Sequence, residues 1–487
     1  MRKTAIVIGS GIAGIATSIR LANRGYIVSV FESNEYPGGK LSEFNKGGYR
    51  FDAGPSLFTL PHLVEELFEE CGFQSKDHFE YIRLEETCRY FYSDGTKLTA
   101  WSDREKLVEE FREKLDEPKE NILGFLDNSA VLYNKLSPLF IEKSLHKAGT
   151  WLSTKALSAF SKINKFEFNK TMNQANEKTF KNPKSVQIFN RYATYNGSDP
   201  YQTPATLNII PHLEFGIGAF FPKGGMYRIT QSLYELAKKI GVNFYFDTPV
   251  KNIVVHKGKA KGVETQMGFH KSDRVVCNMD MVAAYKTILK DQKQPKKLLN
   301  QPKSSSALIF YWGIKKEFKQ LGLHNIFFST EYKEEFDHIF KKGSIYKDPT
   351  VYINITSTKN PSDAPDGCQN WFTMINVPNN QGQDWDQLIK EARVFILDKL
   401  TKELGEYIED LIEVEEVLDP RTIESKTSSV AGALYGNSSN NKFAAFLRHP
   451  NFSSNIKHLY FCGGSVHPGG GIPLCLSSAK LVDQLMD

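Results

Sequence analysis

A glycine-rich turn stands near each end of this 487-residue chain, and the pair constrains the fold more than anything between them. Residues 4–14 read Thr-Ala-Ile-Val-Ile-Gly-Ser-Gly-Ile-Ala-Gly, and residues 459–473 read Leu-Tyr-Phe-Cys-Gly-Gly-Ser-Val-His-Pro-Gly-Gly-Gly-Ile-Pro. The apolar run 5–8 suits a buried parallel strand. Gly9, Gly11 and Gly14 follow as G-x-G-x-x-G, after which Ile12, Ile15, Ala16 and Ile19 recur at helical spacing. A second strand is expected over 26–31, with Glu32 at its end, 18 residues beyond Gly14. Each residue type has a physical task. Glycine at 9 permits a tight turn, at 11 it lets backbone N–H groups approach a pyrophosphate, and at 14 it lets helix and strand pack closely. The helix start at Ile12 and Ala13 offers partial positive charge to an anion. Glu32 can accept hydrogen bonds from ribose hydroxyls. An ordinary glycine-rich α/β turn would leave Glu32 a coincidence; two such turns at opposite ends predict a dinucleotide that both termini close around.

The length allows two or three domains' worth of core. With 61 basic and 56 acidic residues the net charge is +5, too balanced to argue for a nucleic-acid partner. No run approaches 18 uninterrupted apolar residues, so no spanning helix is expected, and the N-terminal apolar stretch is too short for a signal peptide. The six cysteines show no metal-ligand spacing and read as reduced thiols of a cytoplasmic protein, with no metal site expected.

Along the chain, Pro37-Gly38-Gly39-Lys40 and the loop 52–56, Asp-Ala-Gly-Pro-Ser, crowd behind Glu32. Their glycine and proline content suits backbone lying against a flat ligand, in preference to two surface turns. Residues 60–210 turn richer in Lys, Asn, Phe and Ser, with helical periodicity. Nucleotide-domain character resumes at Pro222-Lys223-Gly224-Gly225-Met226, with a helix over 228–240, a strand near 242–246 and a hairpin-rich stretch from 247 to 278. Strand-like runs at 308–312, 351–355 and 371–377 precede a long helix from 385 to about 404. The expected organisation is therefore α/β: a discontinuous Rossmann-like nucleotide domain from 1–75, 211–290 and 430–487, interrupted by a mixed-sheet plus helical substrate domain from 76–210 and 291–429.

Together these segments resemble the bacterial-type phytoene desaturase family, FAD-dependent carotenoid desaturases within the flavin amine oxidase superfamily. The likeness spans the chain and is most specific in 463–473. In the 37–40 loop and the segment 52–58, Asp-Ala-Gly-Pro-Ser-Leu-Phe, it looks most like the hydroxycarotenoid 3,4-desaturases. The resemblance implies FAD as cofactor. It carries cofactor contacts onto Gly9, Gly11, Ile12, Ala13, Gly14, Glu32, Gly38, Gly39, Lys40, Gly54, Pro55, Ser56, Val250, Asn278, Gly463, Gly464, Gly470, Gly471 and Ile472. Lys40 departs from the arginine many members carry and loses its bidentate fork. The implied reaction removes two hydrogens from adjacent carbons of an acyclic or monocyclic carotenoid, 3,4-desaturation being favoured. Phytoene desaturation, amine oxidation, carotene isomerisation and a non-enzymatic escort of prenylated proteins are the alternatives. His467, the titratable group of the C-terminal loop, contacts flavin or substrate or is bonded to backbone. No second nucleotide motif follows a strand, so quinone or oxygen is the expected electron acceptor.

A membrane-dissolved substrate requires docking on a bilayer. Residues 143–170 hold six lysines and His146 against Glu167, with Leu152, Ala156, Phe160 and Ile163 at helical spacing beside Trp151. That composition fits a peripheral interfacial anchor, and fits equally a surface helix packing its apolar stripe inward.

Overall fold

The computed structural model describes residues 2–151, 169–441 and 447–486. Five parallel strands form one sheet in the order Leu459–Phe461, Arg274–Cys277, Thr4–Ile8, Ile27–Phe31, Asn243–Tyr245. Three separate stretches of chain thus build a single sheet, with the C-terminal strand two places from the N-terminal one. Thr4–Ile8 alternates its faces as a strand must. Ala5 and Val7 pack under the helix Ile12–Asn23, while Ile6 and Ile8 join Phe31, Val275, Cys277 and Phe461 on the other side. Ile15 and Ile19 are fully buried, each contributing roughly 1.5–3 kcal/mol relative to exposure. The helices Tyr227–Lys239 and Ile472–Leu485 pack against Ile12–Asn23, so both glycine-preceded helices lie on one face of the sheet.

A seven-stranded sheet forms the second layer system, ordered Ile412–Leu418, Ser306–Ile314, Gln369–Val377, Val351–Asn354, His324–Phe327, Glu86–Phe91, Lys97–Trp101. Only the pairing of His324–Phe327 with Glu86–Phe91 is parallel. Trp312 and Trp371 stand opposite each other in register and are fully buried. They pack with Trp385, Ile396 and Leu400 of the helix Trp385–Leu404. On the opposite face Ala307, Ile309, Tyr311 and Phe372 meet Tyr49 and Phe51. The short strand Tyr49–Asp52, which continues into the glycine loop 53–56, is thereby pinned to the second sheet. Strands expected at 308–312 and 371–377 extend to Ser306–Ile314 and Gln369–Val377, because pairing with each other carries them past the apolar runs.

Of the basic stretch 143–170, residues 152–168 lie outside the described residues, and with them Leu152, Ala156, Phe160 and Ile163. Its start is described: Ala148–Trp151 is a short helix, and Trp151 Nε1 donates to the Leu145 carbonyl at 2.7 Å. No helix among the described residues is long and apolar enough to cross a membrane.

Candidate functional site

Two helices, Ile12–Asn23 and Ile472–Leu485, begin on glycines, Gly11 and Gly471, and neither has a side-chain cap. The first-turn N–H groups of Ile12 and Ala13 have no intrahelical acceptor and so face outward as donors. Glycine is obligatory at several positions here. A Cβ on Gly14 would fall 2.1 Å from the Gly9 carbonyl oxygen, and Gly9 itself has φ +91°. Gly471 has φ +99°, and among the described residues no atom lies within 4 Å of where its Cβ would stand.

Asn278, directly after the strand between the two termini, stands between the loops. Its N–H donates to the Ile8 carbonyl at 2.8 Å. Oriented with its side-chain oxygen toward the first helix, it accepts from Gly11 N–H at 3.3 Å and Gly14 N–H at 3.2 Å. A Cβ on Gly463 would lie 2.7 Å from the same amide. One side chain thus touches both glycine turns and leaves Ile12 and Ala13 free for an anion.

The remaining loops stack outward from the first. Gly38 N–H donates to the Ser10 carbonyl at 2.9 Å, and a Cβ on Gly39 would be 3.6 Å from the Gly11 Cα. A Cβ on Gly54 would sit 1.8 Å from the Lys40 carbonyl oxygen, so the 52–56 loop lies directly on the 37–40 loop, with Pro55 within it. Asp52 accepts from Met226 N–H (2.9 Å) and Tyr227 N–H (3.1 Å), capping the Tyr227–Lys239 helix, and pairs with Arg50 at 2.7 Å. Glycine at 225 leaves room for the Arg50 guanidinium. Glu32, buried, accepts from Ser10 N–H at 2.7 Å and Asn34 N–H at 2.9 Å. Thr248 N–H donates to the Glu32 carbonyl at 2.8 Å, which brings the connecting segment that bears Val250 alongside.

Four side chains that touch these loops keep some accessible surface while burial displaces their ionisation. Burial lowers the Lys40 ammonium, partly offset by Asp280 and Cys475; it raises the Cys475 thiol to about 11 and the Tyr435 phenol to about 12, and it raises Tyr352 strongly. Lys40 Nζ donates to the Leu434 carbonyl at 3.0 Å, and a Cβ on Gly470 would strike the Tyr435 ring at 2.7 Å. Gly464 and Gly470 are themselves in contact, a Cβ on the former lying 3.2 Å from the Cα of the latter. Helix starts on glycines, obligatory glycines and a partly accessible lysine fit an elongated, diphosphate-bearing ligand.

His467 is buried, and its Nε2 lies 2.9 Å from the Lys143 carbonyl. Burial pushes its pKa down to about 4, so it is neutral near pH 7 and donates that hydrogen bond. The side chain fastens the start of the basic stretch to the C-terminal loop.

Arg448 escaped the sequence reading. It is buried, donates through Nη1 to the carbonyls of Tyr435 (2.7 Å) and Gly464 (3.1 Å), and through Nη2 to the Asn196 side-chain oxygen at 3.1 Å. Burial lowers its pKa to about 10. Asn451 Nδ2 donates to the His467 carbonyl at 2.7 Å. These residues hold the C-terminal loop in shape. The available signal was slight: a cation in Arg448-His449-Pro450-Asn451 with no acid nearby in sequence.

A nucleotide-binding parallel sheet, entered from both termini and backed by a large mixed sheet, defines a flavin-dependent oxidoreductase. Residues 12–482 match the model of the flavin containing amine oxidoreductase family, and the chain belongs to that family, with FAD as its cofactor. It is 54% identical over 99% of its length, and 99% of the relative's, to the 1-hydroxycarotenoid 3,4-desaturase of Flavobacterium sp. (strain P99-3). It is 33% identical to the phytoene desaturase of Phycomyces blakesleeanus, over 100% of this chain and 85% of that one. An engineered putrescine oxidase superposes with a TM-score of 0.64 at 14% identity, covering 99% of this chain and 98% of that one, a likeness of fold.

Proposed function

We propose that this protein is an FAD-dependent carotenoid desaturase that introduces the 3,4 double bond into a 1-hydroxylated carotenoid. The observation that carries the reading is the 54% identity to a 1-hydroxycarotenoid 3,4-desaturase along both chains end to end. The glycine cradle supports it. In this reading segments 1–75, 211–290 and 430–487 form the cofactor unit, and 76–210 with 291–429 the substrate unit.

Ile12 and Ala13 N–H groups and the N-terminus of Ile472–Leu485 would hold the anionic parts of the cofactor, Glu32 would orient its ribose end, and Lys40 would supply a positive charge. When bound, the flavin supplies the two-electron acceptor: of the two hydrogens leaving adjacent carbons, one departs as hydride and one as a proton. The protein's share is positioning and exclusion of water. Buried Arg448 and Asn451 keep the loop rigid, and the Tyr435 ring packs against Gly470 within it. The electrons pass on to a quinone or to oxygen, and the protein docks peripherally on the bilayer through 143–170.

The test is to incubate the purified yellow protein with liposomes carrying a 1-hydroxycarotenoid and to follow products by HPLC and absorption. A product lengthened by one conjugated double bond supports the reading. Unchanged carotenoid with fully loaded flavin and oxygen or quinone present would overturn it.

A further inference from the structure

A chain of polar side chains runs from the 52–56 loop into the seven-stranded sheet. Ser56 Oγ lies 2.7 Å from the Tyr352 hydroxyl, and that hydroxyl lies 2.8 Å from His324 Nδ1. Asn354 Nδ2 lies 3.2 Å from the same Nδ1 and 3.0 Å from the Leu323 carbonyl. The direction of every proton follows. An amide nitrogen only donates, so His324 Nδ1 must be an acceptor. Burial holds the His324 pKa near 3, so the ring is neutral with its proton on Nε2. Tyr352 therefore donates to His324, its oxygen accepts from Ser56, and among the described residues no donor claims a lone pair of Ser56 Oγ.

The arrangement is costly to maintain. His324 is buried, and its Nε2–H has no acceptor among the described residues. A buried donor left unpaired is unfavourable, so an imidazole here calls for a compensating role. Its Nδ1 supplies one: it locks the orientation of a phenol that retains accessible surface although burial has strongly displaced its ionisation. Nearby, Arg191 is satisfied without this chain, bonded to Tyr90 and Tyr195 and paired with Glu214.

We infer that Ser56 and Tyr352, with His324 as positioning residue, form the subsite that reads the substrate's hydroxyl group, an alcohol donating to Ser56 Oγ. This rests on the reading in "Proposed function". In a 1-hydroxycarotenoid the oxygen is three bonds from C3, so whatever reads it must stand beside the reacting bond. Ser56 lies two residues beyond Gly54, which packs on Lys40. The Lys40 ammonium in turn reaches the Leu434 carbonyl, next to the Tyr435 ring that faces Gly470, so Ser56 stands in the loops that meet the C-terminal glycine turn.

The experiment compares kcat/KM for a 1-hydroxycarotenoid with that for the same carotene lacking the hydroxyl, in liposomes, normalised to bound flavin. Wild type should prefer the alcohol by about tenfold, the worth of one neutral hydrogen bond. Tyr352→Phe and Ser56→Ala should each bring that ratio toward one, mainly through KM for the hydroxylated substrate. His324→Leu should do the same, and His324→Gln, which keeps an acceptor for the Tyr352 hydroxyl, should restore most of it. Wild-type preference that survives in Tyr352→Phe and Ser56→Ala overturns the inference while leaving the desaturase reading intact. A wild type that desaturates both substrates equally also overturns the inference alone, and one that desaturates neither overturns both.

Discussion

A side-chain carbon on Gly14 would stand 2.1 Å from the carbonyl oxygen of Gly9, so the first turn of the N-terminal helix rests directly on the loop that precedes it. Backbone cannot retreat there, because Gly9 N–H is bonded to the Phe31 carbonyl at 2.7 Å. Gly14→Val should purify colourless and melt earlier, since forcing methyl groups into a packed contact costs about 1–3 kcal/mol. The ratio of flavin to protein absorbance checks it.

In the C-terminal loop, Gly469 and His467 should part company. Gly469 has φ +146°, and a Cβ there would press on Leu474 at 3.3 Å and Arg448 at 3.4 Å. Gly469→Val should lose the flavin. His467→Ala removes the bond to the Lys143 carbonyl and the ring contact with His146, so it should stay yellow with a lower Tm. Full flavin occupancy in the valine variant would count against the placement of this loop.

Lys40 tests the charge in the cradle. Lys40→Met should weaken FAD binding to the apoprotein by roughly tenfold or more, the usual worth of a charged hydrogen bond. Lys40→Arg should retain binding. Equal affinities for wild type and Lys40→Met, measured by fluorescence titration, would remove Lys40 from the site.

Acid should act on stability through two buried histidines, from about pH 6.5 downward. Burial lowers both His467 and His449 to about 4, below the ordinary value near 6.5 for an unfolded histidine. Between those values the unfolded chain binds more protons than the folded one, so stability is complete above about pH 6.5 and falls as pH drops toward 4, by roughly 1.4 kcal/mol per pH unit per histidine. Tm should therefore drop between pH 7 and pH 5, and less steeply in His467→Asn.

Exchanging Lys155, Lys162 and Lys165 for Glu should abolish co-sedimentation with anionic liposomes while leaving flavin content unchanged. Variants that pellet like the wild type would remove 143–170 as the anchor.

Short-range chemistry was readable directly. The turn at Gly9, Gly11 and Gly14, Glu32 at the end of the next strand, and the helix Trp385–Leu404 all follow from spacings within some twenty residues, where local periodicity and glycine's freedom dominate. The strand boundaries were less readable, since Ser306–Ile314 owes its last residues to its partner and not to its own composition.

What the chain alone determined was the nucleotide-binding character of each end and the residue types that serve it. Tertiary structure decided the rest. Only the closure of three distant segments into one sheet sets Asn278 between Gly14 and Gly463, and only the packing of the second sheet on Tyr49 and Phe51 brings Tyr352 to Ser56. Arg448 likewise has its acceptors at Asn196, Tyr435 and Gly464, positions that no local pattern links. Hydrogen bonds spanning hundreds of residues leave no periodic trace, because their partners are chosen by the geometry of the closed fold.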